Sequence, residues 1–221
     1  MTTRTFVIGD IHGRFEALKE VLANSKFDYE EDKLILLGDL VDGGANTKEV
    51  VDELLKIKNT IFVRGNHDQW FIDFIEKNSM PAIWTSQGGW ATLTSYGYPK
   101  IKIPDRHKKF FLKSIYYYIV GTSVFMHGGY RAGLKTVEDE DPEVLMWDRE
   151  LIARMYSGLI IGAWDRIFVG HTSTQYYDSL EPCRFGKLIM MDTGAGWSGK
   201  LSIMDIDTEQ VWQSELQKPN P

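Results

Sequence analysis

The chain is poor in cysteine: Cys183 is the only one in 221 residues. No intramolecular disulfide can form, and no thiolate cluster can hold a metal. Long apolar runs are also missing. Stretches such as Leu34 to Leu37 and Leu159 to Ile161 fall far short of the ~20 residues that span a bilayer. Basic residues are not in excess, since 25 Lys and Arg against 31 Asp and Glu give a net charge of -6. That balance argues against a general nucleic-acid coat protein, although a local basic surface could still track a phosphate backbone. Internal repeats, low-complexity tracts and linkers are absent from the sequence. The first residues run into an apolar strand without the leader that a secretory signal needs. The expectation is a cytoplasmic protein with no membrane association and no obligatory protein partner.

What is present supports one substantial core. The chain is 43% apolar and 13% aromatic, and its length favours a single domain over residues 1–221, with a frayed tail after about residue 215. Thr5 to Gly9 and Leu34 to Gly38 read as buried strands and Thr60 to Val63 as a third. Between them, Phe15 to Ala23 and Thr47 to Lys58 repeat apolar residues at helical spacing. The pattern is a βαβαβ unit, which places parallel strands side by side and ligands beyond their carboxyl ends. Residues 68–113 read as mainly helical, with breaks at Gly88-Gly89 and Gly97. Strands return at Ser123 to Met126, Arg166 to Val169, Lys187 to Met191 and Lys200 to Ile206.

The strand ends are polar. Gly9-Asp10-Ile11-His12-Gly13 follows the first strand, Gly38-Asp39-Leu40-Val41-Asp42 the second and Arg64-Gly65-Asn66-His67-Asp68 the third, while His127 and His171 close two later strands. Four of the five histidines thus lie directly after apolar strands, and only His107 does not. With Asp10, Asp39 and Asn66 they make an oxygen-and-nitrogen donor set that suits manganese first, with zinc, iron or nickel as alternatives. The set is too large for one ion. Two divalent ions about 3.5 to 4 Å apart need a bridging carboxylate, for which Asp39 on the central loop is the candidate. Such a pair can activate a bridging hydroxide for in-line attack on phosphorus. A leaving alkoxide also needs a proton, which His67 held by Asp42 can supply. A lone Asp-x-His or Asn-His-Asp is often only a turn or a helix cap, and Asp68 is best read as a cap on the helix that follows it.

These motifs resemble the phosphoprotein phosphatase signatures of the calcineurin-like metallophosphoesterases, in their bacterial and bacteriophage branch. The Gln-Gly-Gly-Trp core within Trp84 to Gly97, Trp147-Asp148-Arg149-Glu150, Gly170-His171-Thr172 and Asp192-Thr193-Gly194-Ala195 extend the similarity over most of Thr5 to Asp207. The resemblance implies an α/β fold of two mixed β-sheets packed as a sandwich and flanked by helices. It implies that Asp10, His12 and Asp39 bind one metal, that Asp39, Asn66, His127 and His171 bind the other, and that His67 is the general acid oriented by Asp42. It further implies that Arg64 and Arg149 grip phosphate. Expected substrates are phosphoproteins, nucleotides or nucleic acid. The alternatives are a phosphodiesterase or nuclease, a dinucleoside polyphosphate hydrolase, or a non-enzymatic metal-binding scaffold, which would be expected to have lost a ligand or the acid.

One position departs from the family pattern. Gly43 stands where the second motif usually carries arginine. A charge-assisted contact to phosphate contributes roughly 1.5 to 3 kcal/mol, so its loss should weaken binding or turnover about tenfold to a hundredfold. A monoester, with more negative charge than a diester, should suffer more. The expectation is diesterase activity beside phosphatase activity, unless Arg131 or Lys48 replaces the charge. Trp90 and Trp147 are expected to border the site, Lys100 to Lys113 to be a helix with Phe110, Phe111 and Leu112 on its buried face, Tyr116 to Tyr118 to pack in the core, and Glu138 to Asp141 to form a solvated loop.

Overall fold

Strands that are apolar on both faces need cover on both, and that requirement organises the molecule. In the computed structural model, which describes residues 3–131, 137–159 and 163–218, β1 (Thr5–Ile8) turns Phe6 and Ile8 toward one core and Val7 toward another. β2 (Lys33–Leu36) divides Leu34 and Leu36 from Ile35 in the same way. With β3 (Asn59–Phe62) they pair in parallel, Val7 opposite Ile35 and Ile35 opposite Ile61. Helices α1 (Phe15–Asn24) and α2 (Thr47–Leu54) make the crossovers and bury the apolar stripe that the spacing predicts, Leu18, Val21 and Leu22 on one and Val50, Val51 and Leu54 on the other. β9 (Ser202–Asp205) adds antiparallel to β1, and β10 (Val211–Gln213) to β9, giving the order β10-β9-β1-β2-β3.

The second sheet comprises β4 (Tyr117–Val120), β5 (Ser123–Met126), β6 (Arg166–Val169), β7 (Cys183–Phe185) and β8 (Leu188–Met190), in the order β4-β5-β6-β8-β7. Its inner strands are parallel and its edges antiparallel. Val7, Ile35 and Leu37 of the first sheet meet Phe125, Phe168 and Ile189 of the second, with the rings of Phe125 and Phe168 stacked at 4.6 Å. Helices α7 (Pro142–Trp147) and α8 (Glu150–Tyr156) cover the outer face with Leu145, Leu151, Ile152 and Met155. Two mixed sheets flanked by helices is the architecture expected from the sequence. The edge strands β4, β7 and β10 escape sequence reading because they are short and only half-buried.

Between the sheets in sequence run α3 (Asn66–Lys77), α4 (Ala82–Trp84), α5 (Trp90–Ser95) and α6 (Asp105–Leu112). Three local expectations need correction. On α6 the buried positions are His107 and Phe111, whereas Leu112 falls one step past the face and is 42% exposed. In the acidic run, Glu140 is buried, accepting hydrogen bonds from the Arg131 backbone and guanidinium, and Asp141 caps α7 by accepting from Glu143 N. The tail is tied down as far as Gln217, whose N–H donates to Gly199 O at 2.7 Å. Residues 219–221 of that tail, and residues 160 and 161 of the apolar run at 159–161, lie outside the described residues. No described helix is long and apolar enough to cross a membrane.

Candidate active site

Every candidate ligand sits at the carboxyl end of a strand, because there the chain leaves the sheet and its side chains turn toward the rim. The loop after β1 is laced to the loop after β2 by His12 N donating to Asp39 O and Gly13 N to Leu40 O. His12, Asp39, Asp42 and His171 all adopt positive φ, between 47° and 70°, a conformation that costs a non-glycine residue of order 1 to 3 kcal/mol and clusters at functional sites. The neighbouring glycines permit close approach: a Cβ on Gly65 would collide with the Asp39 carboxylate, and one on Gly170 with that of Asp10. Asn66 and His67, read from sequence as loop residues, instead form the first turn of α3, so a helix fixes their direction.

The structure brings five of the six predicted ligands together in two groups that share one residue, with Asn66 beside the second. Asp10, His12 and Asp39 form the first and Asp39, His127 and His171 the second, with ligand atoms within 4.8 Å of one another in each. Asp39 Oδ2 lies 3.2 Å from His127 Nε2 and 3.8 Å from His12 Nε2, and Asn66 Oδ1 is 3.1 Å from His127 Nε2. Backbone carbonyls of Val41 and Leu37 accept from Nδ1 of His12 and His127 at 2.9 and 2.6 Å. Those bonds leave Nε2 of each ring as its donor to a metal, the support usual for metal-binding histidine.

Charge and burial show that this set fits cations. Asp10 is buried, and burial with the charge of nearby Asp192 raises its carboxyl well above the ordinary value. Burial likewise holds His12 down at about 4 and His171 down at about 2, so both are neutral imidazoles able to donate a lone pair. His171 Nε2 is buried without a hydrogen-bond partner. Burial lowers His127, but the charges of Asp39 and Asp10 overcome it and push the ring up to about 10. A divalent ion in these positions would relieve the carboxylates and give the orphaned nitrogen its partner.

Beside the metal groups lies the His67–Asp42 pair. His67 Nδ1 donates to Asp42 Oδ2 at 2.7 Å, and its backbone N–H donates to Asp39 Oδ1 at 3.0 Å. Burial would lower His67, yet the negative Asp39 and the bonded Asp42 raise it above its ordinary value, favouring the protonated ring. Asp42 is fully buried and accepts two more hydrogen bonds, from Trp84 Nε1 at 2.8 Å and Thr92 Oγ1 at 2.7 Å. Thus the Trp84 to Gly97 segment braces Asp42, the partner of His67. Asp68 goes beyond a cap: it accepts from Gly65 N at the start of α3 and from Asp39 N and Leu40 N, binding the helix to the central loop. Burial and the charge of Asp39 raise its carboxyl to about 7.

These residues open into a cavity of about 560 Å³, whose lining includes Gln87, Trp147, Arg149, Ser173, Gln175, Tyr176, Asp192 and Trp197. Arg149 is the only arginine or lysine among its described lining residues. Arg64 is not there. Its guanidinium donates to Ser114 Oγ and O, Gln69 Oε1 and Tyr116 OH, and this web at the α6–β4 junction turns it away from the rim. In this rotamer Arg64 is not among the residues that line the cavity. Trp147 borders the cavity as expected, but Trp90 pairs with Tyr98 outside the lining. Arg131 is held by Glu140, and neither it nor Lys48 lines the cavity.

Sequence reasoning missed Asp192, Tyr176 and Trp197 as site residues. Asp192 lies directly after the β8 region and opens the Asp192-Thr193-Gly194-Ala195 motif, and burial raises its carboxyl to about 6. Tyr176 and Trp197 each sit five residues past a site residue, His171 and Asp192, which is the only signal the sequence offers.

The family profile for calcineurin-like phosphoesterases matches residues 3–188. The chain belongs to that family. It is a phosphoester hydrolase of a dinuclear metal-dependent group. Serine/threonine-protein phosphatase 1 of Salmonella typhimurium is 29% identical over 209 residues, spanning 91% of each chain. A symmetrical bis(5'-nucleosyl)-tetraphosphatase of Coxiella burnetii is 38% identical over 68 residues, only 31% of this chain and 23% of that protein. Among solved structures, a candidate diadenosine tetraphosphatase superposes with TM-score 0.73 at 19% identity, covering 98% of this chain and 95% of that one, a likeness of fold.

Proposed function

We propose that the chain acts as a single metallophosphoesterase domain that hydrolyses phosphomonoesters of the phosphoserine and phosphothreonine type and also cleaves phosphodiesters. The observation that carries this reading is the sharing of Asp39 between two ligand groups, with the His67–Asp42 pair bonded to the same carboxylate. Asp10, His12 and Asp39 would hold one divalent ion and Asp39, Asn66, His127 and His171 the other, manganese being the first choice for this donor set. Bound there, the pair supplies Lewis-acid charge to the phosphoryl oxygens and makes water nucleophilic at neutral pH. His67 keeps a proton at Nε2, because Nδ1 is committed to Asp42, and delivers it to the leaving oxygen. Arg149 orients the phosphoryl group.

Near-full-length similarity to a serine/threonine-protein phosphatase supports monoesters. The diester activity follows from charge, since Arg149 alone faces the cavity where the family pattern has a further arginine at position 43. The test is turnover, with manganese, of a phosphomonoester and its matching diester. Comparable rates support the reading, and a strongly monoester-dominated ratio removes its diester half. Gly43→Arg should shift the ratio toward monoester. Because Gly43 has φ of 74° and an added Cβ would lie 3.1 Å from Gly196 O, that variant's folding must be checked alongside.

A further inference from the structure

Two large rings stand exposed at the mouth of the cavity. Tyr176 is 80% and Trp197 59% accessible to solvent, and both line the space that holds the metal ligands. Among the described residues neither takes part in a ring pair, unlike Trp147, which packs against Trp70 and His171. Their backbones are nonetheless fixed. Arg14 donates to the carbonyls of Ala195, Gly196 and Trp197 at 3.0, 3.2 and 3.4 Å, and Trp197 N donates to Gly194 O. Gly196 lies so close to the His12 ring that a Cβ there would meet Cδ2 at 2.6 Å, which seats the tryptophan loop on the metal site. On the other side, Tyr176 N donates to Ser173 O, and Thr174 N to Asp192 O. Rings whose backbone is anchored and whose faces are uncovered can receive a flat ligand, which then has only their side-chain rotamers to order.

Two amide side chains, Gln87 and Gln175, line the same cavity. Each offers donors and an acceptor, as the edge of a heterocyclic base requires. We propose that Tyr176 and Trp197 form a base-binding subsite that makes nucleoside phosphates substrates, with the phosphoryl group at the metal ligands and the base on the exposed rings. This rests on the hydrolase reading above and names a substrate class for it.

The test compares adenosine 5'-monophosphate with ribose 5-phosphate, which present the same monoester with and without a base. Binding to the manganese-loaded protein is measured by calorimetry and phosphate release by steady-state kinetics, with a phosphoserine peptide as third ligand. A base stacked on an aromatic ring should favour adenosine 5'-monophosphate by roughly tenfold or more in both affinity and kcat/KM. In the Tyr176→Ala/Trp197→Ala double variant that ratio should fall to about one, and Tyr176→Phe/Trp197→Phe should restore it. Equal binding of the two phosphates by the native protein, or a preference that survives the double alanine variant, overturns the proposal. A peptide whose affinity falls in the same proportion as that of adenosine 5'-monophosphate also overturns it, because the rings then serve peptides. A base preference in binding with no turnover of any phosphoester supports the subsite and removes the hydrolytic reading of the metal site instead.

Discussion

The two sheets contribute to the site in different ways. The loops following β1 and β2 and the first turn of α3 after β3 supply Asp10, His12, Asp39, Asp42, Asn66 and His67, all within the first 67 residues and braced by one another through backbone bonds and Asp68. The second sheet's half supplies His127 and His171 from strand ends, but it also supplies most of the cavity wall, namely Trp147, Arg149, Tyr176, Asp192 and Trp197. In the proposed mechanism one half would carry the proton and most of the metal ligands, and the other would decide what is presented to them. Substitutions in the first half should therefore act on kcat, and those in the wall of the second on KM.

The largest expected break in that division comes from His67→Asn. Removing the proton donor should lower kcat by about 10² to 10⁴ while metal content and substrate affinity stay near native, as kinetics with metal analysis would check. A loss of metal instead would make His67 part of the ligand set. Next in size is Arg149→Ala, for which KM should rise roughly tenfold to a hundredfold, the magnitude of a lost charge-assisted contact. Arg64→Ala sharpens the same contrast. It should leave KM within about twofold but lower the melting temperature, since it empties the web around Ser114, Gln69 and Tyr116. Equal effects of the two arginines on KM would put Arg64 back at the phosphate.

The smallest effect concerns the point where the halves meet. In the metal-free protein His127 is pushed up to about 10, because the charges of Asp39 and Asp10 outweigh the effect of burial. A base with a raised folded-state pKa contributes stability that is complete below its unfolded value near 6.5 and is lost as pH rises toward the folded value. Metal-free protein should thus melt roughly 5 °C lower at pH 9.5 than at pH 7.5, equivalent to about 1 to 2 kcal/mol in a chain of this size. Saturating manganese should flatten that slope, because the ion takes the place of the proton on Nε2. Thermal melts across this range with and without metal measure it, and a metal-free protein that gains stability with pH would contradict the assignment of His127.

The same division explains what the sequence made legible. Asp10, His12, Asp39, Asn66 and His67 follow strands whose apolar runs are unmistakable, so a local pattern places each one on the rim. His127 and His171 obey the same rule in the second sheet. For Arg64 the sequence gives the position at a strand end but not the rotamer, which the web at Ser114, Gln69 and Tyr116 sets. Tyr176 and Trp197 could not be distinguished from core aromatics, because their exposure depends on turns held by Arg14 and Ser173, contacts that join distant parts of the chain. Three edge strands, β4, β7 and β10, were missed for a related reason, as a half-buried strand of three or four residues carries too few side chains to show a period.

The central claim is that one carboxylate, Asp39, joins two metal positions into a single centre. Counting bound manganese per chain by elemental mass spectrometry, in native protein and in Asp39→Ala, tests it most directly. Two ions per native chain and the loss of both in the variant is the predicted result. A single ion in the native protein, or a variant that still retains two, would contradict the account.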